Sequence, residues 1–237
     1  MDNSLELLEL SAPFSRTLSD QVAAQLRQAI LQGRLKPGQR IVEHEIAQAM
    51  AISRGPVRDA LRILSTERLV VQYPHRGAFV AWLTLRDAEE IYSLREALET
   101  LALDFAIRCA TAEQIRELTS IVDQMRSLLQ QDYPETEATD LDLEFHHTLC
   151  RISGHSRVLA AWTACRAQVR LLLLTHRVLR PAEYRENAVE GHSRLVQALG
   201  AGDAPAARAV LHEHLAASFN SVVMAIRDGR LDPPAEQ

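Results

Sequence analysis

The pattern of apolar residues changes near Trp82, and this change divides the chain of 237 residues into two parts. Before Trp82 the helical stretches are short, and two strand-like runs flank Pro74-His75-Arg76. After it, apolar residues recur every three to four positions over long stretches with no strand-like alternation. The sequence therefore predicts a mostly α-helical protein. A small N-terminal domain with a β-hairpin, residues 1–82, precedes an all-α antiparallel bundle of about six helices, residues 83–237.

The boundaries of these elements follow from periodicity and from capping signals. Thr84 with Asp87 and Thr111 with Gln114 have the spacing of helix N-terminal capping pairs. In the first part we predict helices over residues 17–31, 43–50 and 54–66, and strands over residues 69–73 and 77–81. In the second part we predict helices near residues 84–109, 111–131, 136–152, 156–177, 181–199 and 203–228.

Charge is distributed unevenly between the two parts. Residues 15–82 hold ten Lys and Arg against five Asp and Glu, whereas the rest of the chain holds 16 basic and 26 acidic residues. A basic module on an acidic body favours a nucleic-acid-binding domain joined to a domain of another kind. The acidic N-terminal segment lacks the basic region and the long apolar run of a secretion signal, and the longest aliphatic run, Leu171 to Leu174, is too short to span a membrane. Three cysteines form no CxxC pair. We therefore expect a cytoplasmic protein with reduced thiols.

The third predicted helix has the features of a DNA recognition helix. Ser53 is a good N-cap residue, and Pro56 is tolerated only in a first helical turn. Arg54 and Arg58, four residues apart, project together from the end that enters the major groove, and Gly55 lets the backbone approach the phosphates. Most arginines on helix surfaces are only solvated, and a winged helix can also bind protein, but this position and the local charge favour DNA.

The hairpin that follows resembles the wing of a winged helix-turn-helix domain. Its tip, His75-Arg76-Gly77, is placed to reach an adjacent minor groove. The run from Leu35 to Val80, LKPGQRIVEHEIAQAMAISRGPVRDALRILSTERLVVQYPHRGAFV, resembles the GntR family of bacterial transcriptional regulators. That resemblance implies DNA contacts by the residues matching Arg54, Gly55, Arg58, His75 and Gly77. The sequence departs from the family at Arg68, where glycine is usual, and at His44, where a base-reading arginine is common.

A second candidate site lies in the stretch DLEFHH, residues 142–147. Asp142 and His146 are four residues apart, so on a helix they share one face. His192 and His214 fall on the last two predicted helices, within about one helical turn of the same level if those helices form a hairpin. One carboxylate and three imidazoles suit Zn²⁺, Mn²⁺ or Ni²⁺. A DxxxH pair is by itself a weak signal for a metal site. Most histidines on helices are either exposed to solvent or hydrogen-bonded in the core, and bind no metal.

The helices after Trp82 resemble the FCD ligand-binding domain of the FadR branch of GntR regulators. The resemblance rests on the segments LREALE from Leu94, DLEFH from Asp142, GH at 191–192 and HL at 214–215. It implies a divalent cation held by the aspartate and three histidines, and a small organic acid as effector. Arg95 is our first candidate to pair with the acid. Arg170 and Arg177 are weaker candidates.

An Asp/His₃ site with an open position is also competent for metal-dependent hydrolysis, which is the alternative function. Glu144 would face a different side of its helix from Asp142, so it is poorly placed as a general base. Nothing else in the sequence supplies a nucleophile or a phosphate-binding loop. A catalytic bundle would also not explain the winged helix. We therefore expect a regulator, not an enzyme, that acts as a homodimer on an inverted-repeat operator in double-stranded DNA, away from membranes.

Overall fold

The computed structural model of the chain describes residues 17–130, 135–177 and 182–227, except for the side chains of residues 135, 174–177, 182–185 and 225–227. The predicted helix ends at Gln131, Pro181 and Asp228 lie outside these residues, as do the two ends of the chain. The described part contains nine helices and three strands: α1 Leu18–Leu31, β1 Arg40–Ile41, α2 Glu43–Ala49, α3 Arg54–Thr66, β2 Val70–Tyr73, β3 Gly77–Val80, α4 Leu85–Cys109, α5 Ala112–Leu128, α6 Glu135–Ile152, α7 Ser156–Arg177, α8 Ala182–Ala201 and α9 Ala204–Arg227.

Three helices and a small sheet form a winged helix-turn-helix at the N-terminal end. The sheet has three antiparallel strands in the order β1-β3-β2, so the expected hairpin is joined by a strand that the sequence did not reveal. In β1, Arg40 pairs with Phe79 and Ile41 pairs with Ala78. A strand of two residues is too short to show an alternating pattern, which is why periodicity missed it.

The core of this part explains why α3 presents its N-terminal end to solvent. Val57, Leu61 and Leu64 are fully buried against α1 and the sheet. Ser53 stands at the N-cap in an extended conformation, as predicted, but its side chain makes no capping hydrogen bond. Arg68, at the position where the GntR family usually has glycine, adopts a φ of 57°. That left-handed conformation costs a non-glycine residue about 1 kcal/mol, which accounts for the family's preference.

The six remaining helices form the predicted bundle. The capping pairs Thr84–Asp87 and Thr111–Gln114 are both present as reciprocal hydrogen bonds at the starts of α4 and α5. Two hydrophobic cores fill the bundle, one centred on Phe145 and Leu211 and the other on Trp162. Among the described residues, no helix is both long enough and apolar enough to cross a membrane.

Helix α7 joins the two parts of the molecule. Leu171 is 2% exposed and belongs to the core of the winged helix, whereas the next two leucines, Leu172 and Leu173, belong to a bundle core. Beside them, Nε of Arg170 donates a hydrogen bond of 3.2 Å to the carbonyl of Leu31 at the end of α1. One helix therefore packs into both the bundle and the winged helix.

Candidate metal centre and nucleic-acid interface

The four residues singled out as metal ligands converge in the bundle. Asp142 and His146 come from α6, His192 from α8 and His214 from α9. One ligand atom from each of the four lies within 4.8 Å of those of the others. Asp142, His146 and His192 are at most 6% exposed. His214 is half-buried as a whole residue, but its ring nitrogen that could bind an ion is buried.

The spacing of these atoms fits a shared cation. Nε2 of His192 lies 3.2 Å from Nε2 of His146 and 3.6 Å from Oδ1 of Asp142. The rings of His192 and His214 are 4.2 Å apart between centroids. Donors that each bind one ion at about 2.0–2.2 Å are separated from one another by roughly 3–3.5 Å. The cluster can therefore hold a divalent ion with small shifts of its side chains.

The hydrogen bond behind His192 fixes which of its nitrogens can bind an ion. Nδ1 of His192 lies 2.7 Å from the carbonyl oxygen of Ala188, which can only accept a hydrogen bond. Nδ1 therefore carries the proton, and Nε2 presents a lone pair towards the cluster. This is the arrangement that a metal-binding histidine requires.

Burial also favours neutral, ligand-ready imidazoles. Loss of solvent lowers the pKa of His192 to about 4, and the lowering outweighs the opposite effect of the Asp142 carboxylate. Burial, reinforced by the two neighbouring imidazoles, lowers the pKa of His214 well below its ordinary value. Both side chains are uncharged at neutral pH, so a cation does not have to displace protons from them.

A buried polar network lies behind the cluster on α4 and α7. Glu99, which is fully buried, accepts hydrogen bonds at Oε1 from Nε of Arg95 and Nε1 of Trp162, and its Oε2 lies 2.6 Å from Nδ1 of His146. Burial alone would raise the pKa of Glu99, but Arg95 and His146 outweigh it and lower the pKa to about 2. In the same way, Glu99 and Asp142 outweigh burial and raise the pKa of Arg95 above its ordinary value. Arg95 and Glu99 therefore form an ionised pair. The sequence analysis did not predict that this pair lies beside the histidines.

The two arginines proposed for effector binding are placed very differently. Arg95 is 1% exposed, and its Nη2 lies 3.9 Å from Oδ2 of Asp142 without a hydrogen-bond partner among the described residues. Arg170 instead contacts the carbonyl of Leu31 and forms an ion pair with Asp140. The structure therefore brings Arg95 to the cluster and directs Arg170 towards α1. The side chain of Arg177 lies outside the described residues.

The residues predicted to contact DNA in the recognition helix lie at its exposed N-terminal end. Arg54, Gly55 and Arg58 are all exposed. Nε of Arg58 donates a hydrogen bond of 2.8 Å to Glu43 on α2, and this pair is well exposed. Exposed ion pairs are weak, so Arg58 can exchange this partner for a phosphate or a base edge.

The tip of the wing is exposed as well and carries positive charge. His75, Arg76 and Gly77 are all exposed, and both His75 and Gly77 have positive φ angles, 63° and 96°. The tight turn between β2 and β3 holds these residues outward. The Arg40 side chain from β1 lies 3.8 Å from the position that a Cβ atom of Gly77 would occupy. Arg40 thus adds a positive charge to the wing. The sequence analysis did not predict it, because it did not predict strand β1.

Glu99 and Trp162 are the functional candidates that the sequence analysis missed. Glu99 was noted only as part of LREALE, since a glutamate four residues after an arginine is a common surface ion pair. The signal that could have found it is its place, one turn after Arg95, on a helix face whose other buried residues are mostly apolar. That face includes Ala102, Leu103 and Ala106, which are all fully buried.

Both parts of the chain match known protein families. Residues 18–80 match the family of bacterial regulatory proteins called gntR, and residues 90–217 match the FCD domain. An uncharacterised HTH-type transcriptional regulator from Streptomyces ambofaciens is 33% identical over 87% of this chain and 86% of its own. The gluconate operon transcriptional repressor of Bacillus subtilis is 28% identical over 87% of this chain and 84% of its own.

Solved structures agree with this assignment. The crystal structure of a GntR transcriptional regulator from Rhodococcus sp. RHA1 has a TM-score of 0.74 and 26% identity, covering 87% of this chain and 98% of that one. McbR/YncC of Escherichia coli, at 23% identity and a TM-score of 0.73, shares the fold over 89% of this chain and 99% of its own. These relatives are transcriptional regulators and not enzymes. The chain belongs to the GntR family of bacterial transcriptional regulators, in the branch whose DNA-binding domain is joined to an FCD domain.

Proposed function

We propose that the protein is a homodimeric transcriptional regulator whose affinity for an inverted-repeat operator is set by a small organic acid. The winged helix, residues 1–82, binds double-stranded DNA. The FCD-type domain, residues 83–237, binds the acid at a divalent cation held by Asp142, His146, His192 and His214. The observation that carries the proposal is the convergence of one carboxylate and three imidazoles inside the bundle.

The ligand set favours an ion of intermediate softness. Three imidazole nitrogens and one carboxylate oxygen suit Zn²⁺, Mn²⁺ or Ni²⁺, whereas Mg²⁺ and Ca²⁺ prefer oxygen ligands alone. When bound, the ion supplies a positive charge and open coordination positions that a carboxylate or hydroxyl of the effector can fill.

Arg95 is the residue that we propose to pair with the effector. Its Nε is committed to Glu99, while its Nη2 lies near the cluster without a hydrogen-bond partner in the described part of the chain. A buried guanidinium with a spare donor favours an anion beside it. One relative is named for a gluconate operon and another for a D-xylose utilization operon. Gluconate is itself a small organic acid, which agrees with this choice of effector class.

Helix α7 is the element that we propose to carry the signal. Trp162 on α7 donates a hydrogen bond to Glu99, which in turn contacts His146. About two turns further along, Leu171 packs in the core of the winged helix and Arg170 binds the end of α1. A shift of the α6 ligands when the effector binds would therefore reach the DNA-binding domain through one continuous helix.

The proposal is tested by separating the two sites with alanine substitutions. Arg54→Ala and Arg58→Ala should each weaken binding to the DNA upstream of the protein's own gene by roughly 5- to 150-fold, because each removes a contact worth about 1–3 kcal/mol. Metal content should stay as in the wild type. His146→Ala and His214→Ala should do the reverse: metal is lost, and DNA is still bound but no longer tuned by an organic acid.

Arg62→Ala is the matched control on the same helix. Arg62 is exposed and, within the described part of the chain, pairs only with Asp59 one turn away, so its loss should change DNA affinity little. DNA affinity is measured by electrophoretic shift and metal content by elemental analysis of the purified protein. The proposal fails if wild-type protein carries no metal after loading. It also fails if Arg54→Ala and Arg58→Ala bind DNA as well as Arg62→Ala does.

A further inference from the structure

Glu99 touches a proposed metal ligand without being one itself. Its carboxylate is fully buried between α4, α6 and α7, and each of its two oxygens faces a different set of partners. This inference rests on the proposed function, because it concerns how the bundle prepares His146 for an ion.

The first oxygen of Glu99 is held by two donors. Nε of Arg95 donates to Oε1 at 2.6 Å, and Nε1 of Trp162 donates to the same atom at 2.9 Å. A guanidinium and an indole N–H can donate but cannot accept. The atom at this position must therefore be an acceptor, and the rotation of the carboxylate about its side chain is fixed.

The second oxygen sets the proton of the imidazole. Oε2 lies 2.6 Å from Nδ1 of His146, which is within hydrogen-bond distance, although the two groups are not aligned in good hydrogen-bond geometry. A carboxylate that is paired with the Arg95 guanidinium is ionised, so it accepts but does not donate. We propose that Glu99 is a positioning residue that keeps His146 as the Nδ1–H tautomer, so that Nε2 directs a lone pair at the site shared with His192. Arg95 and Trp162 hold Glu99 in the orientation that this requires. Carboxylates behind metal-binding histidines commonly have this role.

The replacement Glu99→Gln should reverse the tautomer with almost no change in shape. The amide oxygen must occupy the position of Oε1, because Arg95 and Trp162 both donate there. The amide NH₂ group then faces Nδ1 of His146 and donates to it, so the proton of the imidazole moves to Nε2. There it blocks the lone pair that the ion needs.

The affinity for metal is measured by calorimetric titration of chelator-stripped, full-length protein with Zn²⁺ alone. Glu99→Gln should bind Zn²⁺ about 10- to 100-fold more weakly than the wild type. Glu96→Gln is the matched control: Glu96 lies on the same helix and contacts an imidazole, Nδ1 of His212, at 2.5 Å, but that pair is exposed and outside the cluster. Its affinity for Zn²⁺ should equal that of the wild type.

Long-range ¹H–¹⁵N spectra of the histidine rings give a readout that a merely structural role would not change. His146 should carry its proton on Nδ1 in zinc-free wild type and on Nε2 in Glu99→Gln. Trp162→Phe keeps the Arg95–Glu99 pair and the packing of a ring, so it tests the positioning of Glu99 even if Glu99→Gln fails to fold. Loss of one of two donors should weaken Zn²⁺ binding less than Glu99→Gln does, with circular dichroism unchanged.

The outcomes separate this inference from the proposed function. Wild-type protein that binds none of Zn²⁺, Mn²⁺ and Ni²⁺ defeats the proposed function, and the tautomer of His146 in that protein still decides the present inference. A wild-type spectrum with the His146 proton on Nε2 overturns the inference. Wild-type affinity for Zn²⁺ in a folded Glu99→Gln protein, or in Trp162→Phe if only that variant folds, overturns it as well.

Discussion

Gly191 leaves the space that the His214 imidazole occupies. A Cβ atom at position 191 would lie 2.8 Å from Nδ1 of His214, closer than non-bonded atoms approach. Position 191 also precedes the proposed ligand His192 on α8, where a groove of about 350 Å³ between α8 and α9 reaches His214. One missing side chain on α8 thus sets the position of the proposed ligand His214 on α9.

Gly191→Ala should therefore weaken metal binding without unfolding the bundle. Alanine favours helix more than glycine by about 1 kcal/mol, so α8 should persist, but the new methyl group should push the His214 ring away from the cluster. We expect at least about a tenfold loss of Zn²⁺ affinity by titration calorimetry, comparable to the loss of a supporting contact.

Gly200→Ala provides the matched control, since Gly200 lies on the same helix. Its added Cβ would meet Ile115 at 3.7 Å, an ordinary contact, so Zn²⁺ affinity should not change. Equal affinities for the two variants would mean that His214 either tolerates the displacement or does not bind the ion.

At the residue scale, the sequence predicted what depends on spacing and missed what depends on packing. Asp142 and His146 share a helix face because they are four residues apart, and the structure brings both into one cluster with His192. Glu99 and Trp162 meet from helices about 60 residues apart in the chain, and no local pattern records such a contact. Arg170 was considered for effector binding because of its charge, yet its guanidinium is bound to α1.

At the scale of elements, α7 is the link between the bundle and the winged helix. Arg170 binds the last turn of α1, where helix carbonyls without intrahelical partners favour a cation. The same guanidinium pairs with Asp140 on α6, the helix that carries two of the four candidate ligands. The contact thus ties a ligand-bearing helix, α7 and the DNA-binding domain together.

Arg170→Ala should uncouple the two domains and leave the metal site intact. In the wild type, Zn²⁺ should slow amide hydrogen exchange both in α6 and in the last turn of α1, as measured by mass spectrometry. In Arg170→Ala the protection of α6 should remain and that of α1 should be lost, because the connecting contact is gone.

Arg166→Ala is the corresponding control one turn earlier on α7. Arg166 binds Glu144 on α6 and has no hydrogen bond or ion pair with α1 among the described residues, so protection of both helices should persist. Loss of α1 protection in both variants would point to a general loosening of α7. Retention in both would rule out Arg170 as the link.

The elements that the sequence predicted are those with long periodic patterns. All nine helices were expected, and their observed ends within the described residues agree to within about three residues because capping pairs such as Thr84–Asp87 mark them. The strand β1 was missed, since two residues carry no periodicity. The sequence analysis did not predict that the run Leu171 to Leu174 contacts both domains. Consecutive leucines arise here because α7 lies between two cores, with Leu171 facing one and Leu172 the other.

For the whole molecule, a cation at the proposed site would cross-link the bundle. Its four ligands come from α6, α8 and α9, and the network behind them comes from α4 and α7. Five of the six bundle helices thus take part in one site, which is why a small ligand there can change the arrangement of the domain. The asymmetric charge of the chain agrees with the proposed roles: residues 15–82 are basic and would bind DNA, and the rest of the chain is acidic and would bind the effector.

Anomalous diffraction at the zinc absorption edge from crystals of the zinc-loaded protein tests the central claim most directly. The account predicts one strong peak in each chain, bonded to the carboxylate of Asp142 and to ring nitrogens of His146, His192 and His214. A peak elsewhere, or no peak among these four residues at full zinc loading, would contradict it.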